Sequence, residues 1–148
     1  MERREFISTL GVVAAAMSAT SAFAESGGKK PAGAEHMHPA LYKALSEAAS
    51  KCVLDGNNCL RHCFGMLSMK DTSMAECTKA SFDVIAACGA LETLASVNST
   101  STPALAKVVM DMCLACKKEC DKFPQYSECV DMGAACKACA DECRKVAA

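Results

Sequence analysis

The chain contains no tryptophan, two tyrosines and five phenylalanines, so aromatic residues occupy only 5% of its 148 positions. Valine, isoleucine and threonine are sparse through the regular segments while alanine is abundant, which favours helix over sheet and permits close helix packing. An excess of either charge is also missing: 16 Lys and Arg stand against 17 Asp and Glu, for a formal net charge of −1. No basic field is present to hold nucleic acid, and there is no acidic tail. The only long apolar stretch, Leu10 to Ala19, is too short and too weak to span a bilayer, so stable membrane insertion is not expected. Catalytic signatures are absent as well. The chain has no His and acid pair around a loop cysteine, no phosphate-binding glycine loop and no catalytic metal pattern with an open position, so it does not read as an enzyme.

What the chain does contain is sulfur. Its twelve cysteines fall into groups with helical spacing: Cys52, Cys59 and Cys63; Cys77 and Cys88; Cys113, Cys116 and Cys120; Cys129, Cys136, Cys139 and Cys143. Gaps of 3, 4, 7 and 11 residues return each group to one helix face, within an arc of roughly 80°. Twelve thiols therefore point inward from four helices. The motif C-x2-C-x3-C occurs at Cys113, Cys116 and Cys120 and again at Cys136, Cys139 and Cys143, which suggests a continuous line of sites down a core.

Residues 1–24 read as an export signal. Arg3-Arg4, with Phe6 two positions on, leads into the weak apolar stretch and then Ala22-Phe23-Ala24, a small-x-small cleavage pattern. The arginine pair resembles the twin-arginine type, which implies export to a periplasm or an internal-membrane lumen. Residues 25–38 form an aperiodic leader rich in Gly, Lys, Pro and Ala. Its His36-Met37-His38 triplet reads either as plain tail or as a weak external copper contact.

The remaining stretch, 39–148, is predicted to be one all-α domain, an antiparallel up-down-up-down four-helix bundle with a cysteine-lined core. Its first helix is expected from about Pro39 to Met69, with Leu41, Leu45, Ala48 and Ala49 inward before the cysteines begin. Gly56, mid-helix and one turn from two cysteines, is expected to allow close approach. Ser73-x-x-Glu76 reads as a capping box opening a second helix that runs to about Ser96. Thr102-Pro103 reads as an N-cap with proline at N1 of a third helix, which Phe123-Pro124 ends. The fourth is expected from about Tyr126 to Lys145. Antiparallel pairing brings Cys77 near Cys63 and Cys88 near Cys52. Apolar layers at Leu41, Leu45, Leu91, Leu94, Leu105 and Val109 are expected to let the metal-free protein fold.

Thiolates are soft ligands that select Cu(I), zinc or iron–sulfur clusters over hard cations. Zinc prefers closed tetrahedral sites, commonly from C-x2-C pairs on turns. Iron–sulfur motifs sit in loops that fold around a cluster, whereas here the spacing lies in helical sequence and Cys143 is followed by Arg144. Cu(I) accepts two or three thiolates and tolerates bridging, which suits cysteines at i and i+4 facing partners on the next helix. A disulfide-stapled structural protein remains the bland reading of an exported chain with an even cysteine count, although i and i+4 cysteines project in parallel and pair poorly. Cys113-Leu114-Ala115-Cys116 lies mid-helix, against a thiol oxidoreductase. Met66, Met69, Met74 and His62 cluster near one bundle end, where they read either as core filling and surface or as ligands that pass Cu(I) to the thiolates.

Four segments resemble the bacterial copper storage proteins: Cys59-Leu60-Arg61-His62-Cys63-Phe64; Ala86 through Leu91 around Cys88; Cys113 through Pro124; and Ala135 through Cys143. The likeness spans about His38 to Ala148 and is close to the exported, twin-arginine branch known from methane-oxidising bacteria. That resemblance implies a homotetramer of four-helix bundles whose core stores many Cu(I) ions, mostly with two thiolates each. It also implies a role in holding copper for particulate methane monooxygenase, a copper-accepting enzyme. All twelve cysteines match core-ligand positions, and His62, Met66, Met69 and Met74 match the bundle mouth. One departure is Met132, where family members can carry a further cysteine.

Overall fold

A computed structural model describes residues 38–147 of the chain, with four helices in the order α1 (Lys43–Ser68), α2 (Ala75–Ser96), α3 (Thr102–Cys120) and α4 (Ser127–Val146). The stretch read as an export signal and nearly all of the expected leader, including His36 and Met37, lie outside the described residues; His38 is exposed. Helix α1 packs on α2 and α4, and α3 packs on the same two. The four therefore form a ring around one axis, as expected of an antiparallel bundle.

Both α1 and α2 end in the same way. Lys70 and Asn98 adopt φ of 64° and 53°, and the next residues donate back over a full turn, Asp71 N to Met66 O and Ser99 N to Leu94 O. These are Schellman closures with a non-glycine residue in the left-handed position, which satisfy the carbonyls a helix end leaves open. Asn98 does a second job: its Oδ1 accepts from Leu41 N at 2.8 Å and its Nδ2 donates to Pro39 O at 2.9 Å.

That clamp corrects the expected start of the first helix. With Pro39 O and Leu41 N committed to Asn98, the chain stays non-helical until Lys43. Leu41, expected inward, is 66% exposed, because it lies before the helical turn that would have aimed it at the core. The capping box is also absent. Helix α2 begins one residue later than that pattern requires, its N-cap position is Met74, and Asp71 Oδ1, not Ser73, takes the local amide, accepting from Ser73 N at 2.8 Å. At α3 the N-cap is Ser101, so Thr102 is already helical and Pro103 follows it one position further in than expected.

The core at one end of the ring is apolar. Leu45, Ala49, Leu91, Ala95, Ala106 and Val109 are buried there, Leu105 and Ala48 pack partly covered around them, and Leu94 is half-buried. Gly56 sits at mid-bundle, and a Cβ at that position would lie 2.5 Å from Ile85 Cγ1 and 3.3 Å from Met132 Cε. The expected close approach at Gly56 is present, and α2 and α4 side chains supply it.

A candidate thiolate metal centre

Each helix contributes cysteines to the axis because helical spacing keeps them on its inner face. All twelve are free and buried. Two groups are tight. The sulfurs of Cys52, Cys88, Cys113 and Cys139 all lie within 4.8 Å of one another, as do those of Cys59, Cys63 and Cys77. Antiparallel pairing thus brings Cys88 to Cys52 and Cys77 to Cys63 as the sequence suggested.

The remaining contacts extend these groups. Cys88 Sγ is 3.9 Å from Cys113 Sγ and 4.0 Å from Cys139 Sγ. Cys77 Sγ is 3.9 Å from Cys59 Sγ and 3.7 Å from Cys120 Sγ, and Cys120 lies 4.0 Å from Cys116. A thiolate–metal bond of about 2.3 Å places two sulfurs about 3.8 Å apart around a tetrahedral ion and about 4.6 Å apart across a two-coordinate one. The closest separations, 3.7–4.0 Å, match the tetrahedral value and the others within each group are at most 4.8 Å, so a soft ion fits among these sulfurs with side-chain adjustments of less than about 1 Å by the same bond geometry.

Electrostatically, the sulfurs divide into hydrogen-bond donors and acceptors. Contacts from Cys113 and then Cys136 pull the Cys52 thiol down to about 5, and contacts from Cys120 and Cys136 pull Cys116 to about 4. Their partners are held protonated: Cys136 is pushed well up by Cys113 and Cys116, and Cys120 by Cys116 and Cys59. Cys129 rises chiefly because burial disfavours its charged form. A cation arriving among these groups replaces the S–H protons that now bind the cluster together.

At the opposite end from the apolar core, the residues expected at the mouth separate. Met74 is fully buried, Met66 packs half-buried on the core, and Met69 projects into solvent at 69% exposure. Met69 is the C-cap of α1, past the last inward turn. His62 packs against Tyr126 with the rings tilted by 48° and their centroids 4.5 Å apart, and its Nε2 is buried without a hydrogen-bond partner. Tyr126, which seats this imidazole, carried no signal in the sequence.

A second residue escaped sequence reading. Ser81 is fully buried inside the sulfur column. Its hydroxyl donates to Cys59 Sγ at 3.6 Å and lies 3.8 Å from Cys116 Sγ. Its signal was positional: Ser81 stands four residues after Cys77 and seven before Cys88, on the same helical face. Met132 likewise occupies the inner face of α4 between Cys129 and Cys136, fully buried.

Comparison with known proteins agrees with this chemistry. No curated protein sequence matches the chain. Among solved structures, Cu(I)-bound copper storage protein BsCsp3 shares the fold at a TM-score of 0.62 and 24% identity, over 72% of this chain and 97% of that one. A sequence profile described as copper storage protein matches residues 38–148, the whole bundle with its twelve buried thiols. The chain belongs to the copper storage protein family.

Proposed function

We propose that the chain stores and buffers Cu(I) through all twelve core thiolates, with a capacity on the order of one ion per thiolate because a bridging sulfur serves two ions. The observation that carries this reading is a column of free buried thiols spaced for soft-metal bonds and drawn from all four helices. BsCsp3, which shares the fold, is described as Cu(I)-bound. His62, Met66, Met69 and Met74 receive the ion at the mouth: an imidazole nitrogen without a partner and three thioethers, the outermost of them the exposed Met69, are weaker ligands than thiolates, so an ion passes inward from them.

The finer parts of the proposal rest on the arginine pair at Arg3-Arg4 and on the resemblance. The protein is exported folded by the twin-arginine route, acts in a periplasm or internal-membrane lumen as a homotetramer, and supplies copper enzymes such as particulate methane monooxygenase. Folded export keeps the thiols hidden before they meet an oxidising compartment. No step of bond making in a substrate is needed, and the role is not enzymatic.

Anaerobic titration of reduced protein with Cu(I) against a chromogenic chelator tests the reading. Many ions per chain are expected to bind before the chelator colours, and replacing Cys113, Cys116 and Cys120 by serine is expected to lower that number. An unchanged capacity in the triple variant, or one or two ions in the parent, would overturn it. The Cys52, Cys88, Cys113, Cys139 group also has the ligand count of a closed zinc site. Zinc retained against Cu(I) at that group would favour a zinc-thiolate protein instead.

A further inference from the structure

The sulfur column is not uniform along the bundle. Halfway down, the inner face of three helices carries something other than a thiol: Gly56 on α1, Ser81 and Val84 on α2, Met132 on α4. A Cβ at Gly56 would meet Met132 Cε at 3.3 Å, so the end of the methionine side chain closes on the neighbouring α1 backbone at this level. On either side the sulfurs gather into two sets. The inner set, next to the apolar end, holds Cys52, Cys88, Cys113 and Cys139 within 4.8 Å of one another, and Cys136 and Cys143 join it through Cys113 and Cys139. The outer set, toward His62 and Met74, holds Cys59, Cys63 and Cys77, with Cys120 joined through Cys77 and Cys116 through Cys120 and Cys129 facing Cys59 and Cys77.

Among the described residues, the close sulfur contacts, 59–77, 77–120, 116–120, 88–113 and 88–139, each fall inside one set. Cys116 and Cys136 interact across the divide. Ser81 fills the gap on the outer side with its hydroxyl turned to Cys59 and Cys116. A neutral hydroxyl is a far poorer partner for Cu(I) than a thiolate, and a thioether cannot bridge two ions as a thiolate does.

We infer that this store is built as two six-thiolate compartments separated by a waist of Gly56, Ser81, Val84 and Met132, and that copper crosses between them by way of Cys116 and Cys136. The inference rests on the Cu(I) storage reading above. An ion moves along the column by exchanging one thiolate for the next, so its rate is set by the widest gap between successive sulfurs. The outer compartment fills and empties first. The inner one, closed at its far end by Leu45, Leu91, Ala95, Ala106 and Val109, exchanges only through the waist.

The test is removal of Cu(I) from fully loaded, otherwise unaltered protein by excess bicinchoninate under anaerobic conditions, read from the colour of the chelate with time. Two phases of similar amplitude are expected, the second slower by about tenfold or more, since a tenfold rate ratio needs only a small added barrier at the waist. Ser81→Cys puts a thiol of nearly the same size at the gap, and it is expected to merge the phases without lowering capacity. Cys136→Ser removes half of the crossing and one inner ligand, and it is expected to slow the second phase further and to reduce its amplitude.

A single phase in the parent protein, or a slow phase indifferent to Ser81→Cys, overturns the two compartments while leaving storage intact. Uptake of only one or two ions by the parent overturns the storage reading itself. If Cys136→Ser does not fold, Ser81→Cys and the parent's kinetics still decide the matter.

Discussion

At the scale of single residues, the core leaves little spare room at its middle. Gly56 is there because α1 must pass close to Ile85 and Met132, and a Cβ would sit 2.5 Å from Ile85 Cγ1, whose χ1 torsion is stiffened by branching at the isoleucine Cβ. Gly56→Ala gains about 1 kcal/mol of helix propensity but incurs overpacking of about 1–3 kcal/mol. The expected result is a net loss of about 1 kcal/mol in the metal-free protein, measured by urea unfolding. Ile85→Ala in the same chain should relieve the clash and show as favourable coupling in a double-mutant cycle. The cysteines were fully legible at this scale, since their spacing alone fixes an inner face. Ser81 and Tyr126 were not. A serine within a helical stretch has many uses, and only the neighbouring helices reveal that its hydroxyl faces two sulfurs; a tyrosine before a helix becomes significant only when His62 folds onto it.

At the scale of helices, type and order were legible and the ends less so. The four amphipathic stretches and their antiparallel order follow from periodicity and short connections. Their starts depend on which side chain reaches a given amide. Ser73-x-x-Glu76 has the letters of a capping box, yet Asp71 occupies the amide that box would need left free, and Asn98, distant in sequence, sets where α1 begins. Asp71→Ala is therefore expected to lower the urea midpoint, and Ser73→Ala, which keeps the backbone amide that Asp71 accepts from, to lower it less. The effect also carries a pH signature. The Ser73 backbone and side chain hold the Asp71 carboxyl below its usual range. A lowered carboxylate contributes stability that is present above its unfolded value of about 3.9 and is lost as pH falls through the folded value. The gap between parent and Asp71→Ala should thus be full at neutral pH and should close below about pH 4. An equal gap at all pH values would assign the effect to something other than the carboxylate.

At the scale of the whole molecule, the apolar end and the sulfur column divide the work. Leu45, Leu91 and Val109 provide a hydrophobic plug that does not depend on metal, unlike a small zinc domain that is unfolded without its ion. The column provides ligands whose protons must leave when copper arrives. Cys63, Cys88, Cys120, Cys136 and Cys143 are all held above the ordinary thiol range, by neighbouring sulfurs first and by burial as well. These groups are protonated at neutral pH, so Cu(I) binding releases protons and its apparent affinity should fall steadily as pH is lowered. Competition against a chelator from pH 8 to pH 5, corrected for the chelator's own titration, checks this; an affinity independent of pH would contradict thiol ligation.

The central claim is that copper lies between core sulfurs and not on the surface. Anomalous diffraction at the copper edge from crystals of loaded protein tests it most directly. The expected map shows a line of copper peaks along the bundle axis among Cys52, Cys88, Cys113 and Cys139 and among Cys59, Cys63 and Cys77, each within bonding distance of sulfur. Copper found only at exposed histidines and methionines, with the core cysteines free or joined in disulfides, would contradict the account.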